Sequence, residues 1–398
     1  MCYAEFVPTL VPVAAFAVVA GLPWTPPLSP APADGTARSR APGTPTTLYI
    51  NFDGAVLQTG CGNDPVGNCS TLAGTFDGYV GPFDGNEIQK MSILQAVRTR
   101  LAPYGVFVTT ERPPADVEYS MVLYGDLGEQ SFAGVAPYID CEDLHPRDTS
   151  FSQGFSTSNT GSTVVLQEAA HTWGLEHVDG EGDVMNPFVV SGNTQVFEDA
   201  CHPIVANTDL DPAPGTCNVM HTRFCPAGSQ NSHRELLYLF GPSTPDTTPP
   251  RLTIVHPADG AVLPYPAGTV PLVVAVDDDR HPQFYTVSLY QGDTALLSQE
   301  AGHLDRTFAV AQLTDPPEGA YDLRVEVADE AGNVAAATVS FSVAVGADAD
   351  TEGASDAADL PDAAFDAGGC RTTVLAGGPR RSLVLPALLA LFARRKRR

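Results

Sequence analysis

The chain has 398 residues, 43% of them hydrophobic, and a formal net charge of −26 at pH 7. This length is sufficient for two or three domains with ample cores. Because the chain is acidic and has no basic stripe with interleaved aromatic residues, nucleic acid is excluded as an expected partner.

The first 33 residues predict a secretory signal peptide. An apolar run at 6–22 is followed by small residues, and residues 31–33 form an A-x-A-like cleavage site. A membrane anchor is the alternative, which the prolines and the shortness of the run disfavour. A proline-rich leader follows at 34–45.

Residues 46–242 predict a first domain that mixes strands and helices. A strand is expected at 48–57, with a turn at Asp53 and Gly54. From Asp84, with Glu87 as its partner in a capping box, apolar residues recur at helical spacing until Pro103. Two more strands are expected at 106–110 and 117–123, and a short apolar patch occupies 132–138 within a polar segment.

Residues 167–187 read QEAAHTWGLEHVDGEGDVMNP. Residues four apart share a face of a helix, so Gln167 and His171 should point the same way, with Glu168 beside them. Gly174 is expected to end the helix and let the chain turn back. His177 then approaches the same point from outside the helix.

This stretch resembles the metzincin zinc peptidase signature, His-Glu-x-x-His-x-x-Gly-x-x-His followed by a Met-turn. The resemblance implies that His171 and His177 bind one Zn²⁺, that Glu168 is the general base and that Met185 is the Met-turn residue. Gln167 stands where the family has histidine. Since an amide oxygen is a poorer zinc donor than imidazole, weakened metal binding is expected if Gln167 is a ligand.

The resemblance also implies the fold of this domain, an α+β peptidase domain with a twisted mixed sheet and long helices. The active-site helix should begin near Ser162, a suitable cap. The patch at 132–138 would be the edge strand along which an extended protein or peptide substrate aligns. An ordinary surface loop is the alternative for this patch.

Three accounts of the motif remain open. In the first, the protein is a zinc-dependent endopeptidase whose third ligand is Gln167 or another histidine: His145, His202 or His221. In the second, it is a catalytically dead pseudopeptidase that acts as a surface binding or adhesion protein. In the third, the motif is accidental and the histidines are merely hydrogen-bonded. We favour the first, because Glu168 has no evident structural use in an apolar helix.

Six cysteines fall in the first domain, and an even set in an exported domain favours disulfides. The short loop between Cys61 and Cys69 predicts one pair. The spacing of the others suggests Cys217 with Cys225, which leaves Cys141 with Cys201. Six cysteines allow many pairings, so these last two pairs are alternatives among several.

The composition changes after residue 242. Residues 243–250 read as a Pro/Thr-rich linker, and the alternating strands within 251–345 predict an all-β sandwich that resembles bacterial immunoglobulin-like modules. An acidic group in this sandwich could bind calcium, although we favour a solvated acidic turn; it comprises Asp277, Asp278, Asp279 and Asp329.

The C-terminal part predicts a surface protein. Residues 346–369 are Ala, Asp and Gly with little to bury, which predicts a disordered acidic stalk. Residues 370–398 contain Cys370, an apolar run too short to span a bilayer and a terminal Arg/Lys cluster. This order resembles the MYXO-CTERM sorting tail, which implies processing or lipid attachment at Cys370 and transient membrane association. We expect a monomer that is secreted or held at the cell surface.

Overall fold

A computed structural model describes residues 41–189, 194–206 and 208–346, together with the backbone of residues 373 and 374. Several predicted segments lie outside the described residues. They are the signal peptide at 1–33, residues 34–40 of the leader, residues 347–369 of the stalk, and the sorting tail with Cys370 except for residues 373 and 374. The chain divides into two compact units between Thr244 and Pro245. This division falls within the segment 243–250 that the sequence predicts as a linker.

Within its described residues, the first unit contains nine short strands and four α-helices. The strands are β1 (Thr46–Asn51), β2 (Ala55–Val56), β3 (Tyr79–Val80), β4 (Val106–Thr109), β5 (Ser120–Gly125), β6 (Gly134–Val135), β7 (Thr149–Gln153), β8 (His202–Pro203) and β9 (Ser229–Gln230). The helices are α1 (Glu87–Leu101), α2 (Ser158–His171), α3 (Asn218–His221) and α4 (Ser232–Phe240).

A mixed five-stranded sheet forms the centre of this unit, in the order β4-β1-β5-β7-β6. The first four strands of that order run parallel. All six residues of β5 are buried, as expected for a parallel strand covered on both faces. β6 pairs antiparallel with β7 and forms one edge of the sheet.

The helix predicted after Asp84 is α1, but its cap differs from the prediction. The Asn86 side chain accepts a hydrogen bond from the Gln89 backbone, and the Gln89 side chain accepts one from the Asn86 backbone, both at 2.9 Å. The predicted capping box between Asp84 and Glu87 is therefore wrong by two residues. Asn is as good an N-cap as Asp, so sequence preference alone could not choose between them.

Trp173 connects the end of α2 to the rest of the unit. Its ring lies edge-on to Phe240 of α4, with centroids 5.1 Å apart, and its Nε1 donates to Ser120 Oγ at 3.0 Å. The chain's other tryptophan, Trp24, lies in the predicted signal peptide. Trp173 fluorescence should therefore report on the first unit alone once the signal peptide is removed.

Three disulfides cross-link the first unit, as is typical of extracellular proteins. The predicted Cys61–Cys69 pair is confirmed. The other two predicted pairs are wrong: the structure joins Cys141 to Cys217 and Cys201 to Cys225. The Asp140 N–H donates a hydrogen bond to the His171 carbonyl, which places the neighbouring Cys141 at the end of α2. The spacing of the cysteines does not predict this tertiary contact.

The second unit is an all-β sandwich. Its strands are β10 (Arg251–His256), β11 (Val262–Pro264), β12 (Thr269–Asp277), β13 (Gln283–Gln291), β14 (Thr294–His303), β15 (Thr307–Thr314), β16 (Gly319–Ala328), β17 (Val334–Ala344) and β18 (Thr373–Val374). They form two sheets, β10-β12-β15-β18 and β11-β17-β16-β13-β14. Side chains of both sheets share one apolar core, for example Leu272, Val274, Tyr285, Val287 and Phe341.

Within the described ranges, no helix combines the length and apolarity needed to cross a bilayer.

Candidate metal centre

The candidate site is built on α2, which is buried along most of its length. The helix begins at Ser158 with Thr157 as its N-cap, one turn before the predicted start at Ser162. Ser162 lies inside the helix, where its hydroxyl donates to the carbonyls of Ser158 and Asn159. A serine that bonds backward in this way is satisfied within a helix and need not cap it.

His171 and His177 face each other at the end of α2. Their Nε2 atoms are 3.1 Å apart, and the ring planes are inclined at 81°. His171 Nδ1 lies 2.8 Å from the Leu175 carbonyl oxygen. Because a carbonyl only accepts, the ring proton belongs on Nδ1, which leaves the Nε2 lone pair directed at His177.

Both imidazoles are neutral at pH 7. Burial lowers the pKa of His171 to about 4. Burial, together with the nearby His171, lowers the pKa of His177 well below its usual value. Neutral imidazole is the form that binds a metal ion, so the pair is in the correct protonation state for ligation.

Gly174 provides the turn that brings His177 back to α2, as the sequence predicts. Its φ angle is +96°, a conformation that favours glycine. A Cβ atom there would lie 2.8 Å from the Asp140 carbonyl oxygen and 3.1 Å from the Cys141 Cα. The loop at 140–142 therefore packs against the glycine so closely that no side chain fits.

We expect Gly174→Ala to lower the free energy of unfolding of the first unit by about 2 kcal/mol or more, from backbone strain and the clash together. Denaturant titration followed by Trp173 fluorescence measures this loss. The matched control is Gly228→Ala, because Gly228 has a φ of +78° and its nearest contact would be 3.9 Å away. Equal losses in the two variants would contradict the close packing at Gly174.

Gln167 fastens α2 to the segment that contains Met185. Its amide nitrogen donates to the carbonyls of Val184 and Asn186, at 2.9 and 2.7 Å. Met185 between them is fully buried, and its carbonyl accepts the Val178 N–H at 3.0 Å. Since the two carbonyls require the amide nitrogen to face them, the side-chain oxygen of Gln167 is the atom left for another partner.

Glu168 lies against the edge of the sheet. Only 5% of its surface is exposed, and its carboxylate accepts the Ala136 N–H. A Cβ atom on Gly134 of β6 would lie 2.7 Å from Glu168 Oε1. Burial raises the pKa of Glu168 to about 8, although the bond from Ala136 opposes the shift.

The three histidines considered as alternative third ligands all contact carboxylates instead of the His171–His177 pair. This leaves Gln167 as the sequence-predicted candidate for the third position. The contacts are His145 with Asp140 at 3.2 Å, His202 with Glu198 at 2.8 Å, and His221 with Glu176 and Glu235 at 3.1 and 2.9 Å.

The buried Glu176–His221–Glu235 network is a feature that the sequence analysis missed. Glu176, the residue before His177, also accepts the Cys217 N–H at 3.0 Å. Burial opposes a charge on His221, but its bonds to the two carboxylates outweigh this and raise its pKa to about 9. In the sequence, His221 lies 14 residues from Glu235 and 45 residues from Glu176. Because the three residues are so far apart in the chain, no local motif predicts this network.

Two further groups among the described residues of the first unit bring possible ligand atoms within 4.8 Å of one another. In one, Cys217 is oxidised in its disulfide with Cys141 and offers no thiolate. In the other, the Asp183 carboxylate already accepts bonds from Met185 N–H, Glu198 N–H and the Ser232 hydroxyl. Both groups are accounted for by structural roles.

Comparisons with known proteins give no family assignment. No family model matches the chain, and no curated protein matches it. Fibronectin(III)-like modules of Clostridium thermocellum CbhA share 20% identity over 24% of this chain and 46% of theirs, with a TM-score of 0.19. The SGBP-B protein of Bacteroides ovatus, in complex with a mixed-linkage heptasaccharide, shares 16% identity over 24% of each chain, with a TM-score of 0.17.

The PKD domain of the human receptor SorCS2 shares 15% identity over 25% of this chain and 79% of that domain, with a TM-score of 0.18. The chain spans less than half of the length of the first two structures. At these TM-scores the likenesses carry no argument about function.

Proposed function

We propose that the first unit is an exported zinc-dependent endopeptidase that hydrolyses protein or peptide substrates. The observation that carries the proposal is the pair of Nε2 atoms 3.1 Å apart, with the His171 tautomer fixed by the Leu175 carbonyl. Two imidazole ligands about 2 Å from a tetrahedral zinc ion have their nitrogens about 3.3 Å apart. The separation in this structure therefore fits two ligands of one ion.

In this proposal His171 and His177 hold the metal, and the side-chain oxygen of Gln167 is the third ligand. Gln167 is a weak donor to zinc, so the affinity should be lower than that of a three-histidine site. When bound, zinc would supply a Lewis acid that polarises the scissile carbonyl and acidifies water.

Glu168 acts as the general base. It takes a proton from the attacking water and delivers it to the leaving amine. The Ala136 N–H holds its carboxylate in place. A nearby cation would favour the charged carboxylate and lower the Glu168 pKa from the value that burial alone produces.

The edge strand β6 is the element that aligns the substrate. Glu168 lies against Gly134 of this strand and accepts the N–H of Ala136, the residue after the strand. An extended peptide can pair with the backbone of a sheet edge whatever its side chains. The Cys61–Cys69, Cys141–Cys217 and Cys201–Cys225 disulfides support secretion or display at the cell surface.

A second candidate function is a metal-free pseudopeptidase that acts as a surface binding or adhesion protein. The observation that favours it is the double hydrogen bond of the Gln167 amide to the Met185 segment. This role is structural and requires no metal. In this case His177 would donate its Nε2 proton to His171, and the pair would be merely hydrogen-bonded.

The zinc content of the exported chain, purified from the medium without added metal, distinguishes the two functions. We expect the wild-type protein to contain about one zinc per chain and to cleave unfolded polypeptide. The His171→Phe variant should lose both the zinc and the cleavage activity. Gln167→His should bind zinc more tightly, although it removes the two bonds to the Met185 segment. The control is His256→Phe, which changes a histidine of the second unit.

A wild-type protein without zinc, combined with zinc uptake by Gln167→His, would contradict the peptidase proposal and favour the pseudopeptidase. If neither protein takes up zinc, the resemblance in residues 167–187 does not reflect a metal site.

A further inference from the structure

Aspartates from three separate segments meet at one end of the second unit. Asp246 lies in the segment before β10, Asp278 and Asp279 lie in the turn between β12 and β13, and Asp329 begins the turn between β16 and β17. Segments that are distant in sequence thus bring like charges together. Such an arrangement is costly unless something compensates the charge.

The geometry of this group suits a single ion. One carboxylate oxygen from each of Asp246, Asp278 and Asp279 lies within 4.8 Å of the others. Two oxygens bound to the same calcium ion at its usual ligand distance are at most about 5 Å apart. The three oxygens can therefore reach one calcium ion with little movement.

Asp278 gives an independent indication of a ligand. It is 94% buried, since only 6% of its surface is exposed. Its Oδ1 accepts the Arg280 N–H at 2.7 Å, whereas its Oδ2 is buried and makes no hydrogen bond within the part of the chain that the structure describes. A buried carboxylate oxygen without a partner is unfavourable, and a cation would provide that partner.

Asn333 joins the outer segment to the turns. Its side-chain nitrogen donates to Asp329 Oδ2 at 2.9 Å and to the Asp246 carbonyl oxygen at 3.4 Å, and its backbone N–H donates to Asp329 Oδ1 at 2.8 Å. This arrangement joins the Asp246 backbone to Asp329 in the turn between β16 and β17. Asp329 adds negative charge next to the three candidate ligands and raises the Asp278 pKa further, after burial and the charges of Asp246 and Asp279.

The neighbouring Asp277 differs from the three candidate ligands because a cation already neutralises its charge. Its carboxylate forms an ion pair with Arg306 on the strand side of the turn, and it does not belong to the three-oxygen group. Asp277, the last residue of β12, is thus neutralised by arginine, whereas Asp278 and Asp279 in the following turn converge on a point. Because all the candidate donors are oxygens, a hard cation such as calcium fits better than zinc.

We propose that Asp246, Asp278 and Asp279 bind a calcium ion that fastens the segment before β10 to the end of the sandwich. The sequence alone favoured a solvated acidic turn. Asp277 and Asp279 are exposed as that interpretation requires, but Asp278 is buried with an oxygen that makes no hydrogen bond among the described residues. The calcium site does not depend on the proposed peptidase function.

Hydrogen–deuterium exchange of the full chain, in calcium-free buffer and with added Ca²⁺, tests this site locally. Half-saturation is expected at roughly 0.1–1 mM, the range of extracellular calcium modules. At ten times the half-saturating calcium concentration, amides that exchange through opening of the site should exchange about tenfold more slowly. These amides lie around residues 246–248, 278–281 and 329–333. Exchange in the first unit should not respond.

Asp278→Asn and Asp279→Ala should abolish this protection, whereas Asp277→Asn should retain it. Asp278→Asn should also raise the melting temperature of the calcium-free protein, because it removes one of the crowded charges. Asp279 is exposed, so its variant should fold even if Asp278→Asn does not. The proposal is overturned if 10 mM Ca²⁺ gives no protection in the wild type, or if Asp279→Ala responds as the wild type does.

Discussion

Glu168→Gln is expected to lower peptide cleavage by about 100-fold or more, because a positioned general base contributes at least this factor. The same substitution should stabilise the metal-free protein in alkaline solution. Glutamine has nearly the same shape and can still accept the Ala136 N–H, so the change removes charge without opening a cavity. An opposite effect on activity and stability distinguishes a catalytic carboxylate from one that supports the fold.

The sign of the stability effect follows from the pKa of Glu168, which burial raises to about 8 in the folded state. A carboxyl group in an unfolded chain titrates near 4.5. The folded protein therefore retains its proton more strongly, and stability falls as the pH rises from about 4.5 through 8. Above pH 8 the wild type should be less stable than Glu168→Gln by about 3–5 kcal/mol.

The free energy of unfolding is measured on protein freed of metal by a chelator. Denaturant titration is followed by Trp173 fluorescence at pH 5 and at pH 9. Glu129→Gln is the matched control, because it makes the same substitution at an exposed position of the first unit. If Glu168→Gln destabilises the protein at pH 9, or retains full cleavage activity, Glu168 is not the buried general base.

The second large effect is expected for His221→Gln, which should cost the first unit about 3–5 kcal/mol at pH 6. The substitution leaves the buried Glu176 and Glu235 without the imidazolium that neutralises them. Bonds to both carboxylates raise the His221 pKa from 6.5 to about 9 despite its burial. The stabilisation should be fully present below pH 6.5 and lost as the pH rises through 9.

The lower limit of this pH window comes from Glu176. Burial opposes its charge, but bonds from His221 and the backbone outweigh this and lower its pKa below 4.5. Its contribution is present above pH 4.5 and is lost as the pH falls through the lowered value. The difference between wild type and His221→Gln should therefore be largest between about pH 4.5 and 6.5.

His256→Gln, a substitution in the second unit, is the control for this experiment. Adding Glu235→Gln to His221→Gln should restore part of the loss, because it removes one unpaired buried charge. A pH-independent difference between wild type and His221→Gln would show that His221 acts through packing and not through its charge.

The elements that the sequence predicts well are those with a local, repeated pattern. α1 repeats its apolar residues at helical spacing, and Met91, Leu94, Val97 and Leu101 are buried as that pattern requires. Ile88 fits the same spacing but is 61% exposed, because the first turn of the helix extends beyond the core. In the second unit, β13 and β17 alternate between more and less buried residues, which is the pattern that predicts a strand, whereas β14 lacks this pattern. Its residues are mostly half-exposed, so the alternation of apolar residues is weak.

In the candidate site, too, the sequence predicts the features that depend on local spacing and misses those that depend on tertiary contacts. The approach of His177 to His171 follows from spacing and a glycine, both visible within eleven residues of sequence. The two bonds from Gln167 to the Met185 segment and the Glu176–His221–Glu235 network depend on tertiary contacts. They are set by how the segments after α2 fold back, for which the sequence contains no periodic pattern.

The order of the disulfides has a consequence for how long this protein can survive outside a cell. The Cys141–Cys217 and Cys201–Cys225 bridges overlap along the chain, so every peptide bond between residues 141 and 225 lies within at least one covalent ring. This interval contains α2, both histidines of the candidate centre and the segment around Met185. A single cut there by a protease leaves both pieces joined. The region that carries the candidate chemistry is therefore the part of the molecule best protected against losing a fragment.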